Sequence, residues 1–445
     1  MTREADDDDR YPTLTAQGRA MLTFMREHPH APRFRNQSGN RLTSDDLSAL
    51  ARFEEELGPA VTGQSPPPWL PAFIRQCFDD IPHYRALGPV PATLADIQPV
   101  SRADLAQDIA RFVPDPVDLS RLINFQTTGT TGHGLLVPSH PQVAGRYLSF
   151  HKRALARFGI VPKHGAGQVG VVLIGHQQTC FTYTSVTPQM GESGLAKINL
   201  HPDDWHSPDD RAAYIDALAP EFIAGDPLSF EVLLDLGVTS RPKALLSVSM
   251  MLSDGLRSAL EEWFGCPVLD LYSMNEVGPI AVFDPALGAH VLLQDRLWVE
   301  VIDEHGRALP DGERGELTVT GGFNFCLPLL RYRTGDQGAL ATVRGERVII
   351  DLVGRRPVRF RDATGAWRNN IEVTHALRPL PIAQYALRQR VDGTFVLSLS
   401  RGSMRHAGPA RAALEHLLGP VAIAVDTLPD GHKAQQYTSD LAEPA

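Results

Sequence analysis

Two hydrophobic rhythms run along the chain, and the change from one to the other divides it. From about residue 70 to 275, short apolar runs of strand length alternate with segments whose apolar residues recur every three or four positions, the pattern of an α/β layer architecture. VGVVLIG at 169–175 predicts a buried strand. SPDDRAAYIDAL predicts a helix with Ser207 as cap and Pro208 at its first position, followed by the short strand EFIAG and a helix starting near Asp226 and Pro227. KALLSVS, 243–249, is again strand-like. SDGLRSALEEWFG predicts a helix capped by Ser253, with Leu256, Leu260 and Trp263 on one face and Gly265 at its end. PVLDLYS then returns to the sheet, with its last residues at a strand end, where open α/β sheets bind ligands.

After residue 290 the period shortens to two. RLWVEVID, GELTVTG, ALATVRG and ERVIIDLVG predict strands joined by turn sequences such as PDGERG, which makes a twisted antiparallel or barrel-like module. Beyond Arg355, about 90 residues of mixed strand and helix pattern suffice for a small α+β domain. The first sixty residues predict helices. In TSDDLSALARFEEELGP, Ser44 is the expected cap, Leu47, Leu50, Phe53 and Leu57 share a face, and Gly58 with Pro59 stops the helix. The run Asp6 to Asp9 reads as a solvated acidic tail, and GQSPPPWLP, 63–71, as a stiff linker.

Composition narrows the function classes. The chain has 445 residues, 43% of them hydrophobic and 21% charged, which fits a multi-domain globular protein and not a disordered or fibrous one. With 42 Lys and Arg against 52 Asp and Glu, the net charge of −10 argues against a nucleic-acid partner, whose phosphates demand cations. No apolar run approaches the roughly 18 residues of a membrane-spanning helix. The start MTREADDDDR lacks the basic and then apolar regions of a secretory signal, so a cytoplasmic location is expected. Cys77, Cys180, Cys266 and Cys326 form no CxxC pair and read as core thiols.

Four segments carry candidate chemistry. QTTGTTGHG, 126–134, follows apolar LINF and has four threonines and three glycines within residues 127–134. Such a loop brings backbone amides and hydroxyls close to polyphosphate oxygens, although it lacks the GK[ST] ending of a Walker A loop. LDLYSMNEVG presents Tyr272, Asn275 and Glu276 at a strand end: a ring face suited to adenine, and a carboxylate suited to the magnesium of Mg-ATP. LLRYRTGDQG reads as a polar turn in which Asp336 accepts ribose hydroxyls while Arg331 and Arg333 supply positive charge. DLVGRR ends a strand and offers Arg355 as a fourth contact.

Together and in this order, these segments resemble the adenylate-forming superfamily of acyl-CoA synthetases, adenylation domains and luciferases. The chain is most similar to the phenylacetate-CoA ligase branch, from roughly Phe73 onward. IPHYR near 82, SRADL near 101, TTGTTG, MLSDGLRSALEEWFG, YSMNEVGP, RLWVEVIDEHGRALPDGERGELTVTG and LLRYRTGD all fit that branch in order. The resemblance implies a large AMP-binding domain of doubly wound α/β sheets plus a β-barrel-like module over residues 66–354. It also implies a small mobile α+β domain over 355–445, while residues 1–65 form an added helical extension.

The resemblance further implies activation of a carboxylic acid by Mg-ATP as an acyl adenylate, with pyrophosphate released, then transfer of the acyl group to CoA. An amine or a carrier-protein thiol is the alternative acceptor, and a non-catalytic nucleotide binder of the same fold is the alternative from another class. Family roles fall on Thr127, Thr128, Gly129, Thr130, Thr131 and Gly132 for the phosphates, with Thr130 counted among the catalytic groups. Tyr272, Ser273 and Asn275 fall at the nucleotide, Glu276 at Mg2+, and Asp336 and Arg355 at the ribose. Lys433, in TLPDGHKAQQYTSD, takes the place of the family's catalytic lysine, although His432 stands where relatives carry Gly. Pro357 occupies the hinge position that usually holds Asp or Lys, and His133 a position where relatives often carry Pro. His176, Phe181, Tyr183 and Met250 are expected to line an acyl pocket suited to a small aromatic acid. Relatives of this branch often pair, so a homodimer is expected.

Overall fold

The computed structural model describes residues 6–127, 135–354, 358–429 and 434–441. The chain forms two compact units, one built from Met1–Asn40, Pro162–Asp270 and Pro357–Ala445, the other from Arg41–Val161 and Leu271–Arg356.

In the first unit, a parallel sheet runs in the spatial order Ser193–Asn199, Val169–Gly175, Phe222–Gly225, Ala244–Ser247 and the first half of Val268–Met274, with Tyr183–Thr187 antiparallel at the edge. Helices Asp210–Leu218, Pro227–Asp235 and Asp254–Phe264 link consecutive strands, as parallel pairing requires. The core gathers Val172, Ile198, Phe230, Leu245 and Leu260, all with no accessible surface. Helix 254–264 starts where Ser253 Oγ accepts from Leu256 N at 3.2 Å, and it stops at Gly265, whose φ of 66° is the left-handed cap that glycine adopts without strain. Its buried face is Leu256, Leu260 and Phe264. Trp263, expected on that face, is 45% exposed and donates its indole N–H to Val238 O.

Residues after 357 in this unit have their own core around Phe360, Val373, Leu387, Leu397 and Leu414. Four strands order as Ile423–Thr427, Phe395–Leu399, Tyr385–Gln389 and Tyr437–Ser439, with helices Asn370–Leu377 and Ala407–Leu418. This segment packs on residues 226–256 through buried polar contacts. Glu231 Oε1 accepts from Ser403 Oγ at 2.5 Å, and Ser400 Oγ stands 3.0 Å from Glu231 Oε2. Ser253 Oγ donates to Ile382 O at 2.9 Å.

The second unit is antiparallel. Leu297–Ile302, Gly315–Gly321, Leu329–Val343, Glu346–Val353, Ala289–Leu292, Gly278–Asp284 and the second half of Val268–Met274 pair in that order. Helices Leu70–Asp80 and Pro82–Arg85 join their apolar faces to this sheet in one core with Ile280, Leu317, Leu330 and Tyr332. Strands Ile123–Thr127 and Leu135–Ser139 pair antiparallel in a separate two-stranded sheet, followed by helix Pro141–Arg157.

Local chemistry moves several expected boundaries. Helix Ser44–Glu56 is capped by Thr43 and not Ser44, because Thr43 and Asp46 exchange bonds reciprocally: Asp46 N donates to Thr43 Oγ1 at 3.2 Å and Thr43 N to Asp46 Oδ2 at 2.8 Å. The helix expected from Pro208 begins at Asp210, since Asp210 Oδ2 accepts from Ser207 N at 3.0 Å and closes a turn before it. The acidic run is no free tail. Asp6 caps a short helix, Asp7–Arg10, and Asp7 and Asp8 pair with Arg26 and Arg19 at 2.8 and 2.7 Å. LLRYRTGDQG, expected as a turn, lies inside the strand Leu329–Val343, whose register slips beside it, and the positive φ of Gly335 absorbs the irregularity.

Candidate active site

Tyr272 lies on Val268–Met274 near its C-terminal end, and Asp336 lies on the irregular part of Leu329–Val343. The Tyr272 phenol donates to Asp336 Oδ2 at 2.9 Å. Burial, and then the neighbouring carboxylate, push the phenol well above its ordinary range, so it stays a donor at neutral pH. Asp336 N donates to Thr334 Oγ1 at 3.1 Å, which fixes the backbone that aims the carboxylate. A Cβ built on Gly354 would stand 3.6 Å from Asp336 Oδ1, so the DLVG strand end reaches this carboxylate.

Glu276 sits in the turn between Val268–Met274 and Gly278–Asp284, and only 3% of it is exposed. Three groups hold it. The Tyr332 phenol donates to Glu276 Oε1 at 3.1 Å, the Arg102 guanidinium lies 3.3 Å from the same oxygen, and Asn324 Nδ2 donates to the Glu276 carbonyl at 3.3 Å. Asn324 Nδ2 also reaches the Pro138 carbonyl at 3.1 Å and so ties the turn to the strand Leu135–Ser139. Gln294 braces the turn from behind by donating to the carbonyls of Val277 and Pro279 at 2.7 and 2.8 Å. A cation and a phenol donor on one carboxylate oxygen hold the group in a fixed orientation. As a hard oxygen donor, it fits Mg2+, which takes one or two carboxylates together with phosphate oxygens.

These contacts give a physical role to two motifs that sequence alone left as family marks. In SRADL, Ser101 caps the helix Arg102–Gln107, and Arg102 at the first helical position reaches Glu276. In IPHYR, the fully buried Tyr84 accepts from Leu330 N at 2.9 Å and anchors the strand that carries Tyr332. Neither Arg102 nor Tyr332 was anticipated at the site. Their signal was the alternation in LLRYRTGD, which turns Tyr332 inward, and an arginine directly after a capping serine.

Arg331 and Arg333 do not supply the positive charge expected of them. Arg331 is 1% exposed, donates to the carbonyls of Ile97 and Gly306 at 2.9 and 2.7 Å, and lies 3.4 Å from Glu300. Arg333 pairs with Glu316 at 2.9 Å. Both are consumed by the framework. Ser273 is half-buried on the strand beside Tyr272, and Asn275 is exposed in the turn. Thr127 ends the strand Ile123–Thr127. Thr128, Gly129, Thr130, Thr131, Gly132, His133, Arg355, Pro357 and Lys433 lie outside the described residues.

The expected acyl-pocket residues belong to the first unit. His176 follows strand Val169–Gly175 and stacks on His201 with ring centroids 5.9 Å apart. Phe181 and Tyr183 meet edge to face at 5.6 Å; Phe181 is half-exposed, and burial pushes the Tyr183 phenol up to about 12. Met250 is half-buried after strand Ala244–Ser247, next to Ser249 with its left-handed φ of 71°.

Residues 193–325 match the family described as AMP-binding enzyme. Over 89% of both chains, the fold superposes on 2-hydroxyisobutyryl-CoA ligase in its postadenylation state, with a TM-score of 0.60 at 15% identity. Over residues 193–325 the chain is similar to AMP-binding enzymes, and it shares the fold of this ligase. Among curated proteins, it is 34% identical over 148 residues to a phenylacetate-coenzyme A ligase of Aromatoleum evansii, covering 32% of this chain and 34% of that one. It is 35% identical over 109 residues to the ligase of the same description from Pseudomonas putida, covering 23% and 25%. The chain thus spans about a third or less of the length of the curated relatives it matches. An open conformation of the 2-hydroxyisobutyryl-CoA ligase, in complex with its acyl-AMP and CoA, superposes with a TM-score of 0.52 over 88% of this chain and 91% of that one. Among the described residues, no helix is long and apolar enough to cross a membrane.

Proposed function

We propose that the chain is an AMP-forming carboxylate ligase that activates a small aromatic acid and passes the acyl group to CoA. The observation that supports this most is the pairing of Tyr272 with Asp336 beside a buried, oriented Glu276 in the adjoining turn. In this reading the Tyr272 ring faces adenine and Asp336 accepts from the ribose hydroxyls. Glu276 would hold the Mg2+ that neutralises phosphate charge. Residues 127–132 donate to the phosphates, and Lys433, carried by the small domain 355–445, approaches the reacting carboxylate.

The acid oxygen attacks the α-phosphorus, the bond from that phosphorus to the bridging oxygen breaks, and pyrophosphate leaves with the electron pair. In the second half, the CoA sulfur attacks the acyl carbonyl, its proton passes to solvent, and the carbon–oxygen bond to AMP breaks. The chain's own contribution is to position the reactants and to place charge in advance, which together supply most of the catalysis in phosphoryl transfer. The phenylacetate ligases among its relatives, and the rings of Phe181 and Tyr183, favour an aromatic acid.

Incubation with Mg-ATP, CoA and a panel of small acids, read by mass spectrometry, tests the reading. It predicts an acyl-CoA, AMP and pyrophosphate in equal amounts. AMP with an amide or a loaded carrier in place of acyl-CoA would move the acceptor, and ATP left intact with every acid would refute the ligase.

A further inference from the structure

The second unit holds a cavity of about 380 Å³ that contains neither Tyr272 nor Glu276 nor Asp336. Its volume falls within the roughly 300–1,000 Å³ of small-molecule sites. Phe73, Ile81, Pro114, Val117, Phe323 and Phe325 supply an apolar body, and Gln76, His140 and Arg146 supply donors.

Arg146 sets the chemistry. Its guanidinium lies over the rings of Phe53 and Phe325, 4.5 and 5.1 Å from their centroids, and its Nη1 donates to the Phe323 carbonyl at 2.9 Å. Its Nε is enclosed and has no hydrogen-bond partner. Among the described residues no carboxylate forms an ion pair with it. Of the two acids on the wall, Asp118 is exposed and its carboxylate accepts from Ser120, and Asp80 lies beyond ion-pair reach of the guanidinium. The Cys326 thiol beside Arg146 is pushed up to about 12 by burial and brings no countercharge at neutral pH. A guanidinium withdrawn from water without an anion is costly, and its Nη2 carries the donors left over for a carboxylate.

We propose that this cavity is a second binding site, which takes a small organic monoanion, a carboxylate on an aromatic body, with its carboxylate at Arg146 Nη2 and its ring among Phe73, Val117, Phe323 and Phe325. The wall acids Asp80 and Asp118 disfavour a phosphate or a dicarboxylate. The site has a direct neighbour in the catalytic framework: Asn324 lines the cavity and donates to the carbonyls of Glu276 and Pro138, so an occupant presses on the residue that ties the Glu276 turn to the strand Leu135–Ser139. The proposal does not rest on the ligase reading, and its test uses neither ATP nor turnover.

Binding of 4-fluorobenzoate and 4-fluorophenylacetate to the full chain is measured by fluorine NMR, with the two matching neutral amides as controls. The acids are expected to bind at least about tenfold more tightly than the amides. Arg146→Gln should abolish that preference. Val117→Trp, which fills the cavity and leaves Arg146 in place, should weaken acid and amide alike, whereas Phe181→Ala at the expected acyl pocket should leave this binding unchanged. If Arg146→Gln fails to fold, Val117→Trp decides. Equal binding of acids and amides, no binding of either acid, or binding that survives Val117→Trp and is lost in Phe181→Ala would overturn the proposal.

Discussion

The Tyr272 phenol donates to Asp336 Oδ2 at 2.9 Å across 64 residues of sequence. That bond sets the spacing between a ring face and a carboxylate, the two groups that the nucleotide reading assigns to adenine and ribose. Asp336→Ala should therefore weaken ATP binding by at least about tenfold, the loss of charge-assisted hydrogen bonds of about 1.5–3 kcal/mol. Tyr272→Phe keeps the ring and should cost less, about threefold. Calorimetric titration with ATP in the presence of Mg2+ checks the order, and equal effects of the two changes would remove the ribose role of Asp336.

Arg102 lies 3.3 Å from the Glu276 oxygen that also accepts from Tyr332. A guanidinium and Mg2+ compete for the same negative charge. Arg102→Ala should thus lower the Mg2+ concentration that half-saturates nucleotide binding, by about three- to tenfold, while Glu276→Gln should raise it. A higher Mg2+ requirement in Arg102→Ala would show that the arginine orients Glu276 more than it competes for it.

Asp270 gives the first unit a pH signature. Burial raises its carboxyl from 3.8 to about 6, and Arg257, whose Nη2 lies 3.7 Å away, offsets only part of that. Between these two values the folded state binds more protons than the unfolded one, so this group's contribution to stability falls as pH rises through the window. Asp270→Asn cannot titrate. Compared with it, the wild-type chain should lose melting temperature from pH 4 to pH 6.5, and parallel curves for the two proteins would contradict the burial argument.

The contact between Glu231 and the C-terminal segment is close-packed. A Cβ on Gly402 would lie 2.4 Å from the Glu231 carboxyl carbon, and one on Gly255 would lie 2.2 Å from the Leu380 carbonyl carbon. Gly402→Ala should cost about 1–3 kcal/mol of stability in denaturant unfolding, with a loss of similar size in Ser403→Ala, which takes a hydroxyl from a buried carboxylate. Unchanged midpoints in both variants would place this contact outside the cooperative unit.

Local signals in the sequence were enough for much of the fold. The helix 254–264 was legible because Ser253 and Gly265 punctuate it, and the strands after 290 because alternation needs no partner to be seen. What depended on distant contacts was not legible. The partners of Glu276 stand 174 and 56 residues away in Arg102 and Tyr332, and no window of sequence joins them. Arg331 looked like a source of positive charge in a polar turn, yet three backbone carbonyls take its donors and Glu300 lies 3.4 Å away as an ion pair. Trp263 and Phe264 exchanged roles by a single helical step, a difference of about 100° that composition cannot resolve. Tyr272, Glu276 and Asp336 were legible as candidates because a strand end and a glycine-marked irregularity each expose a polar residue within an apolar run.

Pyrophosphate–ATP exchange with Mg2+ and a panel of small aromatic, amino and short aliphatic acids, with no acceptor present, tests the central claim most directly. It isolates the first half-reaction and so depends on the Tyr272, Asp336 and Glu276 constellation, whatever the acceptor. The account predicts exchange that requires an acid, is strongest with an aromatic one and drops by orders of magnitude in Lys433→Ala while ATP still binds. ATP binding without exchange for any acid would contradict it and leave a protein that holds the nucleotide but does not activate a carboxylate.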